Sequence, residues 1–535
     1  MLVVTGCSTG SEQGAAAGTG TQSAATGEDP IVRLAAGSLR GINSDGLNVY
    51  KGIPYAAPPV GNLRFRAPRA VVPWSGERDA RTLGHPSVQT NADLSPWLDP
   101  QPESEDCLVL NVWAPESGSA GKPVMFWIHG GGYQVGSAGA PLYDGANLAR
   151  TEDVVVVGVN HRLNTFGYMW LGDLVPELAG DGNLGQRDLV AALGWVRDNV
   201  AAFGGDPSNV TVFGESGGGG KVSSLLATPS ARGLFHRAIV QSGSALEIQT
   251  REQATEAARA TLAKLGDGTF DVNRLQQIGV AELKAVSGDL GAPYGPVLDG
   301  DFMPHQTWEG GAPAESAGVA MMIGNNTHEI VLFQPDFADP IADDAQLEQR
   351  FRAASFSPAL SPEQYRGFLE GHRALQPTAD RHHLLAAMTS DPAFFRDARQ
   401  QADLKAAQNA GDVFLYECTW ETPCFGGQWA VHAGEIPLVF GILSYESAWD
   451  GLDSDAARAA ADPQNHQARL SREMMAAWAR FARDGNPSSP ALDWPRWDDR
   501  TRSTMVFAGE KSVSVSGYAD ERLALVEGFP KNPIL

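Results

Sequence analysis

The sequence predicts an α/β protein with a large, mostly parallel central sheet flanked by helices. Short, continuous apolar runs such as residues 154–159 are typical of strands that are buried on both faces. Such runs alternate with segments such as residues 185–203, in which Leu189, Leu193 and Val196 recur at helical spacing. This alternation, which continues as far as Ser216, favours right-handed crossovers in a doubly wound sheet.

The composition is that of a globular protein with ample material for a core. The chain has 535 residues, of which 43% are hydrophobic and 19% are charged, and α/β enzymes of this length can form around one sheet. A net charge of −23 disfavours a nucleic-acid partner, because binding phosphates requires a basic surface. No apolar run approaches the roughly 18 residues that a membrane-spanning helix needs.

The cysteines are too few and too scattered for a disulfide scaffold or a Cys-x-x-Cys zinc site. They are Cys7, Cys107, Cys418 and Cys424. Cys418 and Cys424 are close enough in sequence to form a small clip in an oxidising compartment, or they remain two buried free thiols.

Residues 1–28 differ in composition from the rest of the chain. They are rich in Gly, Ala, Ser and Thr without apolar periodicity, which indicates a flexible tether ahead of a folded domain at residues 29–535. Val4-Thr5-Gly6-Cys7 resembles the end of a bacterial lipoprotein signal, where cleavage leaves the cysteine as a lipidated first residue. Only a fragment of the apolar region precedes it, so either the start codon is misassigned or the match is chance. We expect an exported, membrane-anchored lipoprotein of a bacterial cell envelope, with a cytoplasmic or secreted soluble protein as the alternative.

The remaining elements follow in chain order. Turn residues separate β-rich segments near the start, and two charged, alanine-rich helical segments at residues 249–286 and 343–408 are expected to form a lid around a pocket. The predicted strands are residues 37–41, 47–52, 108–113, 124–129, 209–213, 237–240, 319–324 and 413–417, the last of these closing the sheet, and a final helix is predicted at residues 469–483.

The run Gly214-Glu215-Ser216-Gly217-Gly218 follows the strand at residues 209–213 and precedes a predicted helix at residues 221–227. A strand, a Gly-x-Ser-x-Gly turn and a helix form a nucleophile elbow, so Ser216 is the candidate nucleophile. A phosphate-binding loop ending in Gly220-Lys221 is the competing interpretation. That loop needs a glycine where Glu215 stands and a hydroxyl where Val222 stands, so we set it aside.

A second glycine run, at residues 129–132, follows the strand at residues 124–129. A glycine-rich turn after a strand exposes backbone N–H groups, which can hold the oxyanion of a tetrahedral intermediate. We predict an oxyanion hole formed by the N–H groups of Gly131, Gly132 and Gly217.

The motifs at residues 203–218 and Glu105-Asp106-Cys107-Leu108 closely resemble those of the type-B carboxylesterases, the α/β-hydrolase branch that includes the cholinesterases. The resemblance extends from about residue 31 onward. It implies the α/β-hydrolase fold and ester hydrolysis without a metal or other cofactor. The family usually has Ala after the nucleophile, so Gly217 is expected to loosen the turn. The family's loop disulfide would pair Cys107 with a cysteine near Ser87, and the sequence has none there.

A serine hydroxyl needs a base to take its proton and an acid to orient that base. In α/β-hydrolases the chain order is serine, acid, histidine, and Glu329 and His432 match the family pattern in that order. His328 and Asp299 are the nearest competitors, although a turn explains Asp299 equally well. Glu215 is expected to be a buried carboxylate that supports the site. His372, His382, His383 and His466 are expected at the surface.

Three aromatic residues are expected in the substrate pocket. Trp97 stands at the offset from Glu105 at which cholinesterases carry a tryptophan that binds the choline cation, or it is a plain pocket wall. Tyr133 follows the glycine run and Phe333 follows Glu329.

These observations predict a serine carboxylesterase that hydrolyses small-molecule carboxylic esters through an acyl-enzyme. An amidase, a thioesterase or a lipase with the same triad is the alternative. A non-catalytic, cholinesterase-like binding protein is the interpretation from another class. Membrane attachment through a lipidated Cys7 is the further expected interaction.

Overall fold

The computed structural model describes residues 29–89, 101–116, 120–266, 270–288, 293–334, 336–424, 427–443 and 454–529. The strands, in chain order, are β1 (Ile31–Leu34), β2 (Gly37–Arg40), β3 (Ile42–Ser44), β4 (Leu47–Pro54), β5 (Glu77–Asp79), β6 (Val109–Pro115), β7 (Lys122–Ile128), β8 (Val155–Val159), β9 (Gly205–Glu215), β10 (Arg237–Gln241), β11 (Ala320–Asn326), β12 (Val413–Cys418), β13 (Thr422–Cys424), β14 (Gly427–Trp429), β15 (Thr504–Phe507) and β16 (Val513–Val515).

The main sheet has the order β16-β15-β12-β11-β10-β9-β7-β8-β6-β4-β3 in the described part of the chain. The strands from β15 to β8 are parallel, and antiparallel pairs close both edges. The large, mostly parallel sheet that the sequence predicts is therefore present. The sheet does not end with the strand at residues 413–417 as predicted, because β15 and β16 extend it. Both are too short for their apolar pattern to stand out in the sequence.

Helices cover both faces of this sheet. They are Ala146–Glu152, Asn164–Tyr168, Leu184–Asn199, Gly217–Leu225, Arg251–Lys264, Val272–Gln277, Val280–Val286, Asp344–Ala353, Pro362–Leu375, Arg381–Ser390, Arg396–Ala406, Ile436–Phe440, Asp455–Ala461, His466–Asp484 and Asp520–Val526, with a π-helical turn at Asp391–Phe395. Short 3₁₀ turns lie at Gly61–Leu63, Pro141–Tyr143, Pro176–Leu178, Val200–Phe203, Pro229–Ala231, Ala314–Ser316 and Glu329–Phe333.

The core forms on both faces of the sheet because side chains alternate along each strand. On β7, Val124 and Phe126 pack in one apolar cluster, whereas Met125 and Trp127 pack in the cluster on the other face. The two predicted helical insertions lie between β10 and β11 and between β11 and β12. In the described part of the chain, no helix combines the length and the apolar character that crossing a membrane requires.

The helix after Ser216 begins at Gly217 rather than at residue 221 as predicted. The four glycines from Gly217 to Gly220 are helical although glycine favours turns over helices. Tertiary packing requires glycine at the start of this helix, because a Cβ at Gly217 or Gly218 would overlap backbone atoms of the segment from Ile128 to Gly132. We call Gly217–Leu225 the nucleophile helix and residues 129–132 the oxyanion loop.

Candidate active site

Ser216 lies between the end of β9 and the first residue of the nucleophile helix. Its backbone has φ 56° and ψ −128°, a combination that costs free energy for any residue with a side chain. The N–H of Ser216 donates to the carbonyl oxygen of Gln241 over 2.9 Å, which helps to hold the strained conformation. Ser216 is partly exposed whereas its neighbours Glu215 and Gly217 are buried. The turn therefore presents one hydroxyl at the edge of the sheet, as a nucleophile elbow does.

Glu329 and His432 lie at the same edge of the sheet as Ser216. Glu329 follows β11, and His432 follows β12 after the short strands β13 and β14. Because β11 and β12 are parallel to β9, the carboxyl ends of these strands face the same way. His432 Nδ1 lies 2.6 Å from Glu329 Oε2, and both side chains are buried. This contact fixes the imidazole so that its other nitrogen, Nε2, is the one available for proton transfer.

Two further donors hold Glu329 in place. The hydroxyl of Ser242 donates to Oε1 over 2.6 Å, and the backbone N–H of Asn326 donates to the same oxygen over 2.7 Å. Together with His432 they satisfy both carboxylate oxygens, which stabilises the charged form. Ser242 was missed by the sequence reasoning. The available signal was a polar residue directly after the apolar strand β10.

His432 Nε2 is buried and has no hydrogen-bond partner among the described residues. It lies 3.1 Å from Glu215 Oε1, but the two atoms are not aligned for a hydrogen bond. The rings of Phe333 and Phe394 pack against the imidazole, each with its centroid 5.0 Å away. The imidazole is thus clamped, with Nε2 left open.

Three carboxyl groups are buried around His432, and they are not equally satisfied. Glu329 accepts hydrogen bonds at both oxygens, and Glu435 accepts from Gln241 Nε2 at 3.0 Å and Asn326 Nδ2 at 2.5 Å. Glu215 accepts a backbone hydrogen bond from Ala433, but its Oε1 has no hydrogen-bond partner in the described structure, and burial raises the pKa of Glu215 well above its usual range. Glu329 is therefore the better hydrogen-bonded carboxyl group of the two, whereas burial favours the neutral form of Glu215.

The pKa of His432 is set by two opposed effects. Burial by itself lowers it, but the neighbouring carboxyl groups, chiefly Glu215 and Glu329, outweigh burial and raise it above the usual value. Because Glu215 is the less satisfied of the two, we attribute the upward shift to Glu329, whose carboxylate also accepts from Nδ1. A histidine with a raised pKa is a stronger base once it has lost its proton.

The oxyanion loop lies beside the nucleophile helix. Gly131 and Gly132 have φ of 83° and 60°, a region that residues with a side chain seldom adopt. In the described chain, the N–H groups of Gly131, Gly132 and Gly217 donate to no other residue. They are therefore free to bind a ligand oxygen. Position 217 requires glycine for a reason other than turn flexibility, because the carbonyl oxygen of Gly132 occupies the space that an alanine Cβ would need.

The competing residues have other partners. His328 Nδ1 accepts the N–H of Ala430 over 3.2 Å, and burial lowers the pKa of His328 to about 3. Asp299 Oδ1 accepts the N–H groups of Asp301 and Met303, which is the turn role considered for it. His372 is buried rather than at the surface, because it lies on the apolar face of Pro362–Leu375 with its ring 4.6 Å from that of Phe368.

The expected pocket residues are described in part. Phe333 contacts His432, and Tyr133 is buried beside Tyr168, with ring centroids 4.9 Å apart. Trp97 and Cys7 lie outside the described residues. Cys107 and Cys418 are buried free thiols. No cluster of three or more metal-ligating side chains occurs among the described residues.

We expect Glu329→Gln to lower kcat by about 10³- to 10⁴-fold, because the imidazolium that forms during the reaction would lose its counter-charge. In the wild type, kcat/KM should rise with pH, because only deprotonated His432 accepts a proton. The midpoint of this pH limb should lie above the pKa of an ordinary histidine, about 6.5. Glu215→Gln is the matched control, since it replaces a neutral buried carboxyl group by a neutral amide. Its pH limb should coincide with that of the wild type. A limb in Glu215→Gln displaced down to about 6.5 would show that Glu215 is the charged partner instead.

This chain is similar to known proteins over most of its length. The model of the carboxylesterase family matches residues 28–525. A para-nitrobenzyl esterase of Bacillus subtilis is 34% identical over 510 residues, covering 92% of this chain and 98% of the relative. A phenmedipham hydrolase of Pseudarthrobacter oxydans is 34% identical over 513 residues, covering 91% of this chain and 96% of the relative. Among solved structures, a carboxylesterase of Geobacillus stearothermophilus superposes with a TM-score of 0.79 at 33% identity, covering 92% of this chain and 99% of the other.

Proposed function

Since this chain belongs to the carboxylesterase family and is a carboxylic ester hydrolase of the α/β-hydrolase fold, we propose that it works through an acyl-enzyme formed on Ser216. Ser216 Oγ attacks the ester carbonyl carbon while His432 Nε2 takes the hydroxyl proton. The tetrahedral intermediate collapses, the C–O bond to the alcohol breaks, and His432 returns the proton to the departing oxygen. A water molecule then repeats the sequence on the acyl-enzyme and releases the carboxylic acid and free Ser216.

One observation carries this proposal. Glu329 holds His432 through Nδ1 at 2.6 Å and leaves the buried Nε2 without a hydrogen-bond partner in the described structure. A purely structural histidine in a buried site normally has its polar atoms satisfied. An unsatisfied nitrogen at the sheet edge that carries the strained Ser216 fits a general base that accepts the proton of the serine hydroxyl.

The oxyanion loop supplies the second part of the mechanism. As Ser216 attacks, negative charge develops on the former carbonyl oxygen, and we propose that the N–H groups of Gly131, Gly132 and Gly217 bind it. Donors that are already oriented need no reorganisation during the reaction, which is why such sites contribute several kcal/mol, about 3–4 for one donor in a mutational test. Lys221 Nζ donates to two carbonyl oxygens of this loop and contacts no substrate in this scheme.

The same triad could serve an amidase, a thioesterase or a lipase. Relatives are named a para-nitrobenzyl esterase and, in the duck, a medium-chain fatty acyl-CoA hydrolase precursor, and a solved structure is titled as an esterase that can hydrolyse aliphatic aromatic polyesters. We propose small-molecule esters as the substrates here. The test is a set of butyryl compounds that differ only in the leaving atom: an oxygen ester, a thioester and an amide. We expect the oxygen ester to have the highest kcat/KM, and a higher value for the amide or thioester would assign the alternative. Absence of turnover of all three would favour the non-catalytic interpretation.

We also propose that Cys7 is lipidated and that the enzyme is attached to the bacterial cell envelope. The support is the sequence Val4-Thr5-Gly6-Cys7 and the polar, small-residue segment that follows it. Two or more acyl chains on one cysteine suffice for stable anchoring, where a single chain is marginal.

We expect the protein in its native host to sediment with membranes, and Cys7→Ser to move it to the soluble fraction. Ser8→Ala is the matched control and should leave the protein with the membranes. Mass spectrometry should find a lipid on Cys7 as the first residue. A native protein that keeps Met1 and stays in the soluble fraction would contradict the proposal and make the cytoplasmic location the better one.

A further inference from the structure

Lys221 is a fully buried lysine that the mechanism above does not use. It lies on the nucleophile helix, little more than one turn after Ser216, and its side chain has no exposed surface. Its Nζ donates to the carbonyl oxygen of Gly132 over 2.7 Å and to that of His129 over 3.3 Å. It also lies over the ring of Tyr133, 5.2 Å from the centroid. Burying an ammonium costs free energy, so this arrangement needs an explanation.

We propose that Lys221 is a positioning residue that fastens the oxyanion loop to the nucleophile helix, and so sets the spacing between the amides of Gly131 and Gly132 and the amide of Gly217. This inference rests on the proposed acyl-enzyme mechanism. The two halves of the predicted oxyanion hole come from separate segments of the chain. Lys221 bonds them directly, because it belongs to the helix and its partners belong to the loop.

The backbone of the loop needs such a fastening. Gly132 has φ 60° and no side chain, so rotation about its backbone bonds is poorly restricted. Its amide and its carbonyl share one Cα, and holding the carbonyl therefore also restricts the direction of the amide. An oxyanion donor that points away by a few tenths of an ångström loses much of its effect, because catalysis depends on preorganised donors.

The packing between loop and helix is already as close as backbones allow. A Cβ at Gly217 would overlap the carbonyl oxygen of Gly132, and a Cβ at Gly218 would overlap that of Ile128. Lys221 holds the Gly132 oxygen in the place that excludes a side chain at position 217. A lysine at position 221 and a glycine at position 217 are thus parts of one arrangement.

Lys221 can make its two hydrogen bonds whether its own side chain is protonated or neutral. His129 and His161 stack 4.7 Å apart beside it, and burial together with Lys221 lowers the pKa values of both, that of His129 to about 3, so both are neutral. Burial lowers the pKa of Lys221 to about 7. Both the ammonium and the neutral amine carry N–H donors for the two carbonyl oxygens.

Lys221→Met tests this inference, because methionine fills a similar volume without donors. The readouts are kcat, KM and the affinity for an alkyl trifluoromethyl ketone, whose serine adduct carries an oxyanion. The matched control is Lys405→Met. Lys405 is also buried, and its Nζ donates to the carbonyl oxygens of Ser316 at 2.7 Å and Ala317 at 3.0 Å, but it lies on Arg396–Ala406, outside the site.

We expect Lys221→Met to lower kcat and trifluoromethyl ketone affinity together, by about 10- to 100-fold, and to change KM by less than about threefold. Lys221→Gln, which keeps one donor, should fall between the wild type and Lys221→Met, and it serves if Lys221→Met does not fold. Lys405→Met should lower the melting temperature and leave the three kinetic readouts within about twofold. Unchanged ketone affinity in the folded Lys221 variants, or an equal loss in Lys405→Met, would overturn the inference.

A double-mutant cycle provides an independent readout. Gly217→Ala should lower kcat more in the wild-type background than in Lys221→Met, because a loop released from Lys221 can move away from the added Cβ. Additive effects would contradict the coupling of loop and helix. Labelling by a fluorophosphonate distinguishes an error about Lys221 from an error about the nucleophile. If only the role of Lys221 is wrong, the wild-type enzyme is still labelled on Ser216. If Ser216 is not the nucleophile, Ser216 is not labelled.

Discussion

Ser216→Ala is expected to lower kcat by about 10⁴-fold or more, because the variant loses the atom that forms the covalent bond to the acyl group. The backbone of the elbow should persist, since the N–H of residue 216 still donates to Gln241 and the adjacent glycines are unchanged. The comparison requires kcat for a butyryl ester and the melting temperature of both proteins. Equal melting temperatures would show that the loss is chemical.

Ser471→Ala is the matched control for the loss of a buried hydroxyl. Ser471 lies on the helix His466–Asp484, which supplies no residue of the proposed triad or oxyanion hole, and its Oγ donates to the carbonyl oxygen of Leu438 over 2.8 Å. We expect it to reduce stability by about 1 kcal/mol and to leave kcat within about twofold. A Ser216→Ala enzyme that kept more than a tenth of the wild-type kcat would remove Ser216 from the role of nucleophile.

His432→Ala is expected to lower kcat by about 10⁴- to 10⁶-fold, because triad members act as a unit and the serine keeps its proton without the base. The substitution also opens a space between Phe333 and Phe394, whose rings now pack on the imidazole. Added imidazole should therefore enter this space and restore part of the activity, in proportion to its unprotonated fraction. The measurement is kcat/KM as a function of imidazole concentration and pH.

His328→Gln tests the competing histidine. His328 Nδ1 already accepts the N–H of Ala430, so this ring has a structural role that glutamine can partly replace through its carbonyl oxygen. We expect kcat to fall less than about tenfold, without rescue by imidazole. A larger loss in His328→Gln than in His432→Ala would exchange their roles.

The sequence alone allowed the fold class and the elbow to be predicted, for reasons that are local. The strand β9, the glycines around Ser216 and the helix after them are signals within about twenty residues. The order of serine, acid and histidine then restricted the partners to residues after strands, where Glu329 and His432 stand. The strands β15 and β16 could not be predicted, because a three- or four-residue strand at a sheet edge gains its stability from its neighbours rather than from its own pattern.

The residues that orient the triad could not be predicted for a different reason. Ser242 reaches Glu329 only because β10 and β11 are neighbours in the sheet, and the bond joins residues 87 positions apart. In the sequence, Lys221 follows a run of glycines and so resembles the lysine of a phosphate-binding loop. Its actual partners, the carbonyl oxygens of the oxyanion loop, lie about 90 residues earlier and are joined to it only by the pairing of β7 with β9. Contacts of this kind depend on topology and leave no periodic signal.

The central claim is that the acyl group is carried by Ser216. The most direct measurement is peptide mass spectrometry of the enzyme after reaction with a fluorophosphonate, and after acid quenching during turnover of a slowly deacylating ester. We expect one adduct per chain in both cases, on the peptide that contains Gly214-Glu215-Ser216 and on Ser216 itself, with activity lost in proportion to fluorophosphonate labelling. An adduct on another residue, or complete inactivation with Ser216 unmodified, would contradict the account.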